Sequence, residues 1–283
     1  MRKIFFVALP FCLGLFSCTS PIYINTKGAE PRLVIFGTIN EDYTRHCIRI
    51  TKSTNYFSNE APPPVTDAIV TISVDNEVFT LAQDDTVPGS YFTDSLSAAA
   101  GKTYTLDVQL DFDNDGVAEH YQASSLMPKG PRVDSIKLSP IVLDKVPILF
   151  LYGQVYYETE NHFCIYTGKN NEEQGLFDYF MILSDAYIST IGNAYPMPYF
   201  AEGGIHKGDT VNFRVDNLNL EYANFLSEVS QETSVSTPIF SAPPAEVVTN
   251  IKCLNANIKV SGFFAAYSKG RDLITISNID FKF

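Results

Sequence analysis

"AIVTISVDNEVFTLA" (Ala68–Ala82) reads as a β-hairpin. Val70, Ile72 and Val74 alternate along its first arm, Asp75-Asn76 supplies the turn, and Val78 to Leu81 form the return. A period of two sends every second side chain to one face, and short polar residues accept tight-turn geometry. The same grammar extends upstream. RLVIFGTIN (Arg32–Asn40) is a β-branched run ended by Asn, and HCIRITKS (His46–Ser53) sets Ile48, Ile50 and Lys52 against Cys47, Arg49 and Thr51. The proline-rich NEAPPPV that follows is barred from a central strand. Downstream, TYTLDVQLDF (Thr103–Phe112) is another strand. Short strands at regular intervals, with turn residues between and no amphipathic helix, predict an immunoglobulin-like β-sandwich over residues 31–128.

At LMPKGPRVDSIKL (Leu126–Leu138), Pro128, Gly130 and Pro131 punctuate the chain, and a domain boundary is expected there. Residues 129–283 read as a second, β-rich domain. Its strands are aromatic: ILFLYGQVYYE (Ile148–Glu158), HFCIYTG (His162–Gly168), FDYFMILSDAYI (Phe177–Ile188) and GDTVNFRVDNLN (Gly208–Asn219). One helix is predicted in LNLEYANFLSEVSQE, where Leu218, Tyr222, Phe225, Leu226 and Val229 recur mostly at three- and four-residue intervals. Asn217 and Asn219 both qualify as its cap. KVSGFFAAYS and DLITISNIDFKF close the chain as strands. The expected class is mainly β: two β-sandwich-like domains, the second antiparallel with one short helix.

The first residues, MRK, carry two positive charges, and IFFVALPFCLGLF follows as an uncharged apolar run. It suits a signal-peptide core and is shorter than the roughly 20 residues that span a bilayer. Leu15-Phe16-Ser17-Cys18 resembles a bacterial lipobox, with Phe16 as its departure. The expectation is a signal peptide over residues 1–17, cleavage before Cys18, acylation of that cysteine, and a lipidated tether over residues 18–30. Several acyl chains make a lasting bilayer anchor where one holds only marginally. The residue after Cys18 is Thr19 rather than Asp, which favours the outer membrane, and no acid precedes Glu30 in the tether. The net charge of −12 disfavours nucleic acid and anionic headgroups as partners.

Several stretches, in order, carry a family resemblance: PRLVIFGTIN, PPVTDAIVTISVDNEVFTL, GSYFTD, AGKTYTLDVQL, SSLMPKGPRVDSIKL, HKGDTVNFRVDNLNLEYANFL, and FSAPPAEVVTNI followed by SGFFAAYS. Together they resemble the family called domain of unknown function 4249, found as lipoproteins in Bacteroidetes, over about Pro31 to Ser268. CLNANIKVSGFF departs from the Gly-rich sequence that members often carry there. The resemblance implies no activity. It implies company, since such lipoproteins resemble accessory partners of TonB-dependent outer-membrane transporters. An accessory binding or docking module is therefore the first expectation, and a structural or adhesive surface lipoprotein without a transporter is the alternative.

The sharpest local motif is DFDNDGVAEH. Asp111, Asp113 and Asp115 alternate, Gly116 follows, and Glu119 completes a pattern like the first nine positions of a calcium loop. A structural calcium held by these four acids is one reading. A solvated hairpin tip at Asn114-Asp115-Gly116 is the other, and position twelve is the amide Gln122. His46, His120, His162 and His206 share no close spacing, so no zinc site is predicted. Cys47, Cys164 and Cys253 match no metal or redox spacing and read as buried thiols. Glu172-Glu173 read as a solvated loop. No nucleophile elbow, P-loop or dinucleotide fingerprint occurs, and no enzymatic activity is predicted. In AYISTIGNAYPMPYFAEGG (Ala186–Gly204), Tyr187, Tyr195, Met197, Tyr199 and Phe200 crowd a proline-stiffened stretch. Such rings suit a binding loop, because they supply contact area at small entropic cost, and they equally suit local core.

Overall fold

The computed structural model describes residues 30–55, 58–130, 132–143, 146–154, 161–170, 180–184, 194–198, 210–233 and 246–275. The hairpin forms as expected: β3 (Ile69–Val74) and β4 (Glu77–Thr80) pair with Val74 opposite Glu77. Asp75 takes a φ of +51°, a left-handed turn conformation that short polar residues tolerate. Val70 and Ile72 are buried and lie opposite Val108 and Leu106 of β7 (Thr103–Leu110). With β8 (Glu119–Leu126) and β15 (Lys252–Cys253), these strands make a five-stranded sheet ordered β15-β8-β7-β3-β4.

The facing sheet contains β1 (Leu33–Ile39), β2 (Thr44–Lys52), β5 (Ala82–Gln83), β6 (Ser90–Leu96) and β16 (Val260–Ala266), ordered β16-β1-β2-β6-β5. Alternation along β1 and β2 points Ile35, Ile48 and Ile50 into a core shared with Ile72, Leu106 and Tyr121, while Arg49 faces out. Asn40 ends β1 as read, its side-chain oxygen accepting the Asp42 N–H at 2.9 Å.

β15 and β16 lie far beyond residue 128, yet they pair within the first sandwich. β16 runs parallel to β1, from Leu33↔Val260 to Ile39↔Ala266, and Val260, Phe264 and Ala266 join the sandwich core. The first body is thus discontinuous in sequence, with its last strands supplied from the segment assigned to the second domain. On the outer edge of β16, the Asn250 side chain replaces a neighbouring strand. Its nitrogen donates to the Phe264 carbonyl at 2.8 Å, and its oxygen accepts the Phe264 N–H at 3.0 Å.

Two further sheets follow. β9 (Arg132–Leu143), β10 (Val146–Gln154) and β13 (Ala194–Pro198) are ordered β13-β10-β9. β11 (His162–Lys169), β12 (Phe180–Ser184), β14 (Thr210–Leu218) and β17 (Ser268–Thr275) are ordered β12-β11-β14-β17, all antiparallel. The helix α1 spans Leu220–Thr233, and Asn219 is its cap, accepting the Tyr222 N–H at 2.9 Å. It buries Tyr222, Ala223, Phe225 and Leu226 in a second core with Cys164, Tyr166 and Leu218, and with Phe263 and Ala265 of β16. β16 is therefore apolar on both faces, which accounts for the unbroken Phe263-Phe264-Ala265-Ala266 run. Burying each such phenylalanine contributes roughly 1.5–3 kcal/mol.

Gly262 makes this arrangement possible. Its φ is +101°, and a Cβ there would collide with the Ile35 carbonyl, standing 2.7 Å from the carbonyl carbon. Gly262→Ala is expected to lower stability by about 3 kcal/mol, read as a shifted denaturation midpoint. His46 offers a second handle. It faces inward from β2, 3% exposed, with its Nε2 3.1 Å from the Leu96 carbonyl oxygen. Burial pushes its pKa below the ordinary value. The unfolded chain then binds a proton near pH 6.5 that the folded chain resists, so stability falls as pH drops from there through the lowered value. Urea denaturation at about pH 7.5 and 5.5 is expected to show this loss, and His46→Gln to shrink it.

Candidate functional site

Residues 111–118 join β7 to β8, and the hairpin closes with Leu110 opposite Glu119. Asn114 and Gly116 take φ of +60° and +89°, which curls the loop and brings alternate carboxylates together. The side-chain oxygens of Asp111, Asp113 and Asp115 offer ligand atoms within 4.8 Å of one another. They also order the loop: Asp111 accepts the N–H of Asp115 at 3.1 Å and of Gly116 at 2.9 Å, Asp113 accepts Asp115 at 3.2 Å, and Asp115 accepts Val117 at 2.8 Å. Glu119 stands apart from this trio. It is buried, and its Oε2 accepts the Phe112 N–H at 2.7 Å. Gln122 donates to Asp107 at 3.0 Å, beside His120, whose Nε2 is 2.8 Å from the same carboxylate oxygen. Among the described residues, no basic side chain pairs with Asp111, Asp113, Asp115 or Glu119.

The described histidines do not converge. His46 lies in the sandwich core, His120 on Asp107, and His162 in β11, while His206 lies outside the described residues. Cys47, Cys164 and Cys253 are all free; Cys164 is buried, and the other two are half-buried. Burial pushes the Cys164 thiol up to about 12, which keeps it protonated and unreactive. Burial raises the Cys47 thiol as well.

A polar cluster that the sequence did not announce lies where α1, β14 and β16 meet. Arg214 Nε is 3.1 Å from both oxygens of Asp216, itself 1% exposed, and the guanidinium stands 3.8 Å over the Tyr166 ring. Burial raises the Tyr166 and Tyr222 phenols well above their ordinary values, and Tyr267 to about 12. These phenols are neutral and enclosed, and the Arg214–Asp216 attraction offsets the cost of burying two charges. Arg-x-Asp on one strand places both side chains on one face, the single sequence signal that marked the pair.

An open groove of about 520 Å³ runs between β8 and α1. Gln122 and Ser124 line one side, Glu221, Asn224 and Glu228 the other, and the apolar Val248 and Leu254 are exposed along it. Glu228 accepts the Val248 N–H at 2.8 Å, tying the segment after α1 to the helix. Of the proposed binding loop, Tyr195 and Met197 lie in β13, opposite Leu151 and Leu149 of β10. Tyr187, Tyr199 and Phe200 lie outside the described residues, as do residues 1–29, Cys18 among them, and Glu172-Glu173.

No curated protein matches this chain. Among solved structures, the chain is similar to a cytokine receptor complex, at 10% identity over 87% of this chain and 98% of that one, with a TM-score of 0.28. It is also similar to the FN1–FN3 domains of chicken CNTN1, at 12% identity over 67% and 63%, with a TM-score of 0.30. A two-domain fibronectin type-III segment of chicken tenascin matches at 10% identity over 67% and 91%, with a TM-score of 0.20. Likeness at this level carries no argument about function. The family profile is another matter, since it matches residues 19–272, nearly the whole chain beyond the leader-like start. The chain belongs to the family described as Domain of unknown function (DUF4249).

Proposed function

We propose that this protein is an outer-membrane lipoprotein, anchored through acylated Cys18, that serves as an accessory binding or docking module for a TonB-dependent transporter. The lipobox-like Leu15–Cys18 stretch supports the anchor, and family membership supports the company. The observation that carries the docking reading is the groove beside α1. β15 pairs with only Tyr121 and Gln122 of β8, and beyond them the Asn250 side chain caps the Ser124 carbonyl at 3.5 Å, so the groove offers mainly side chains to a partner. An open groove of mixed polar and apolar side chains suits a partner segment held by side-chain contacts. The lining holds carboxylates, amides, the Ser124 and Thr249 hydroxyls, a lysine and apolar groups, a mixed set of the kind that protein contacts use.

The test is purification of the acylated, tagged full chain from its own outer membrane in mild detergent, with mass spectrometry of what accompanies it. The expected result is one transporter in near-equal amount, lost in a Val248→Glu, Leu254→Glu variant. Both side chains are exposed, and such substitutions usually change stability by no more than about 0.5 kcal/mol. Recovery of the wild-type chain alone in every detergent would overturn the transporter reading and support a structural or adhesive surface role.

A further inference from the structure

We infer that the groove beside α1 takes a basic segment of its partner, with two cationic side chains along the helix wall and an aliphatic residue between them. This rests on the docking reading above and names the chemistry of the occupant. The helix wall is acidic. α1 carries Glu221, Glu228 and Glu232 and no basic residue, and Glu221 and Glu228 both line the groove. They stand seven residues apart, two turns of helix, so they share one face at roughly 10 Å along the axis. Asn224 lies between them on that face.

The charge of this wall is left open by the chain itself. Among the described residues, no basic side chain pairs with Glu221 or Glu228. Glu228 commits Oε2 to the Val248 N–H, which leaves Oε1 to a ligand. Glu246, just outside the groove, is by contrast shared by Arg32 and Lys259. An acidic helix face alone is ordinary solvated surface. Here it borders two aliphatic side chains, Val248 and Leu254, that are 59% and 53% exposed along the same groove. Unpaired acids beside open aliphatic surface suit a basic, partly apolar chain.

The opposite wall has the other sign. Lys252 lines the groove from the sheet side, opposite Gln122 of β8, and pairs with no described carboxylate. The difference in sign across the groove orients an occupant, since its cations turn to α1 and away from β15. An extended chain advances about 3.3 Å per residue, so Lys-x-Leu-x-Lys sets three side chains on one side with its ends about 13 Å apart. Flexible lysine stems take up the difference from the glutamate spacing. Exposed ion pairs of this kind select the sign of a partner more than they tighten its binding.

The probe is the fluorescein-labelled peptide Gly-Ser-Lys-Ser-Leu-Ser-Lys-Ser-Gly, beside its twin with glutamate for both lysines. Each is titrated with the detergent-solubilised full chain and read by fluorescence anisotropy. The lysine peptide is expected to bind saturably, and the glutamate peptide to show no saturable binding. A Glu221→Lys, Glu228→Gln variant is expected to weaken the lysine peptide about ten-fold, with glutamine at 228 keeping an oxygen for the Val248 N–H. Glu77→Lys reverses a charge on β4, at the far edge of the same sheet, and is expected to change affinity less than about two-fold. That control separates the groove from the general net charge of −12. Comparing the two peptides needs no variant, so a folding defect cannot produce the selectivity. No saturable binding of the lysine peptide, equal binding of both peptides, or the same weakening by Glu77→Lys would each overturn the assignment. The docking reading stands or falls apart from it. A transporter that still accompanies the Glu221→Lys, Glu228→Gln chain keeps docking and removes the basic segment, whereas lysine-peptide selectivity in a chain recovered alone does the reverse.

Discussion

The parallel pairing of β1 with β16 is the constraint on which the rest depends. It brings Leu33–Ile39, near the start of the described chain, against Val260–Ala266, near its end, and it needs a glycine at 262 to let the two backbones meet. β16 is buried on both faces, with Phe264 and Ala266 in the sandwich core and Phe263 and Ala265 under α1. Two residues later, the same chain enters β17 and pairs with β14 in another sheet. A single run of backbone thus belongs to both bodies, and neither core is complete without it.

The polar seam follows from that geometry. Ser125 Oγ accepts the Ala266 N–H at 2.8 Å and the Asn219 side-chain N–H at 2.8 Å, joining β8, β16 and the helix cap. Asn217 donates to the Lys129 carbonyl and to Asn161, each at 2.8 Å, and Lys269 meets Asp42 at 2.6 Å. Buried polar groups of this kind specify one arrangement, because moving either body leaves several of them unpaired. With both cores committed to packing, the strand edges, the groove beside α1 and the acid loop are among the surfaces of the described residues left open for function.

Much of this was legible in the sequence wherever a pattern is local. Period-two alternation found β1, β2 and the β3–β4 hairpin, and three-to-four spacing found α1. Structure was needed to choose Asn219 over Asn217 as the cap, because both side chains make bonds and only one reaches the Tyr222 N–H. The home of β16 was not legible. Its partner lies more than 200 residues away, and a doubly buried strand has no alternation to say which sheet it joins. The acid loop was half legible: the D-x-D-x-D-G spacing predicted the convergence of three carboxylates. The parity of Glu119 with Tyr121 and Ala123 could have shown that the fourth turns inward. The groove had no sequence signal, since its walls come from β8, α1 and the segment around Val248.

Native-state hydrogen exchange on the full chain tests the central claim most directly, by comparing amides of β1, β2, β16 and α1. If β16 locks both cores, its inward amides and those of β1 and α1 exchange through one shared opening with one free energy, moving together as denaturant rises. If β16 instead exchanges through a local opening of much lower free energy while β1 and β2 keep their protection, the sandwich is self-sufficient, and β16 is an accessory strand rather than the lock between two cores.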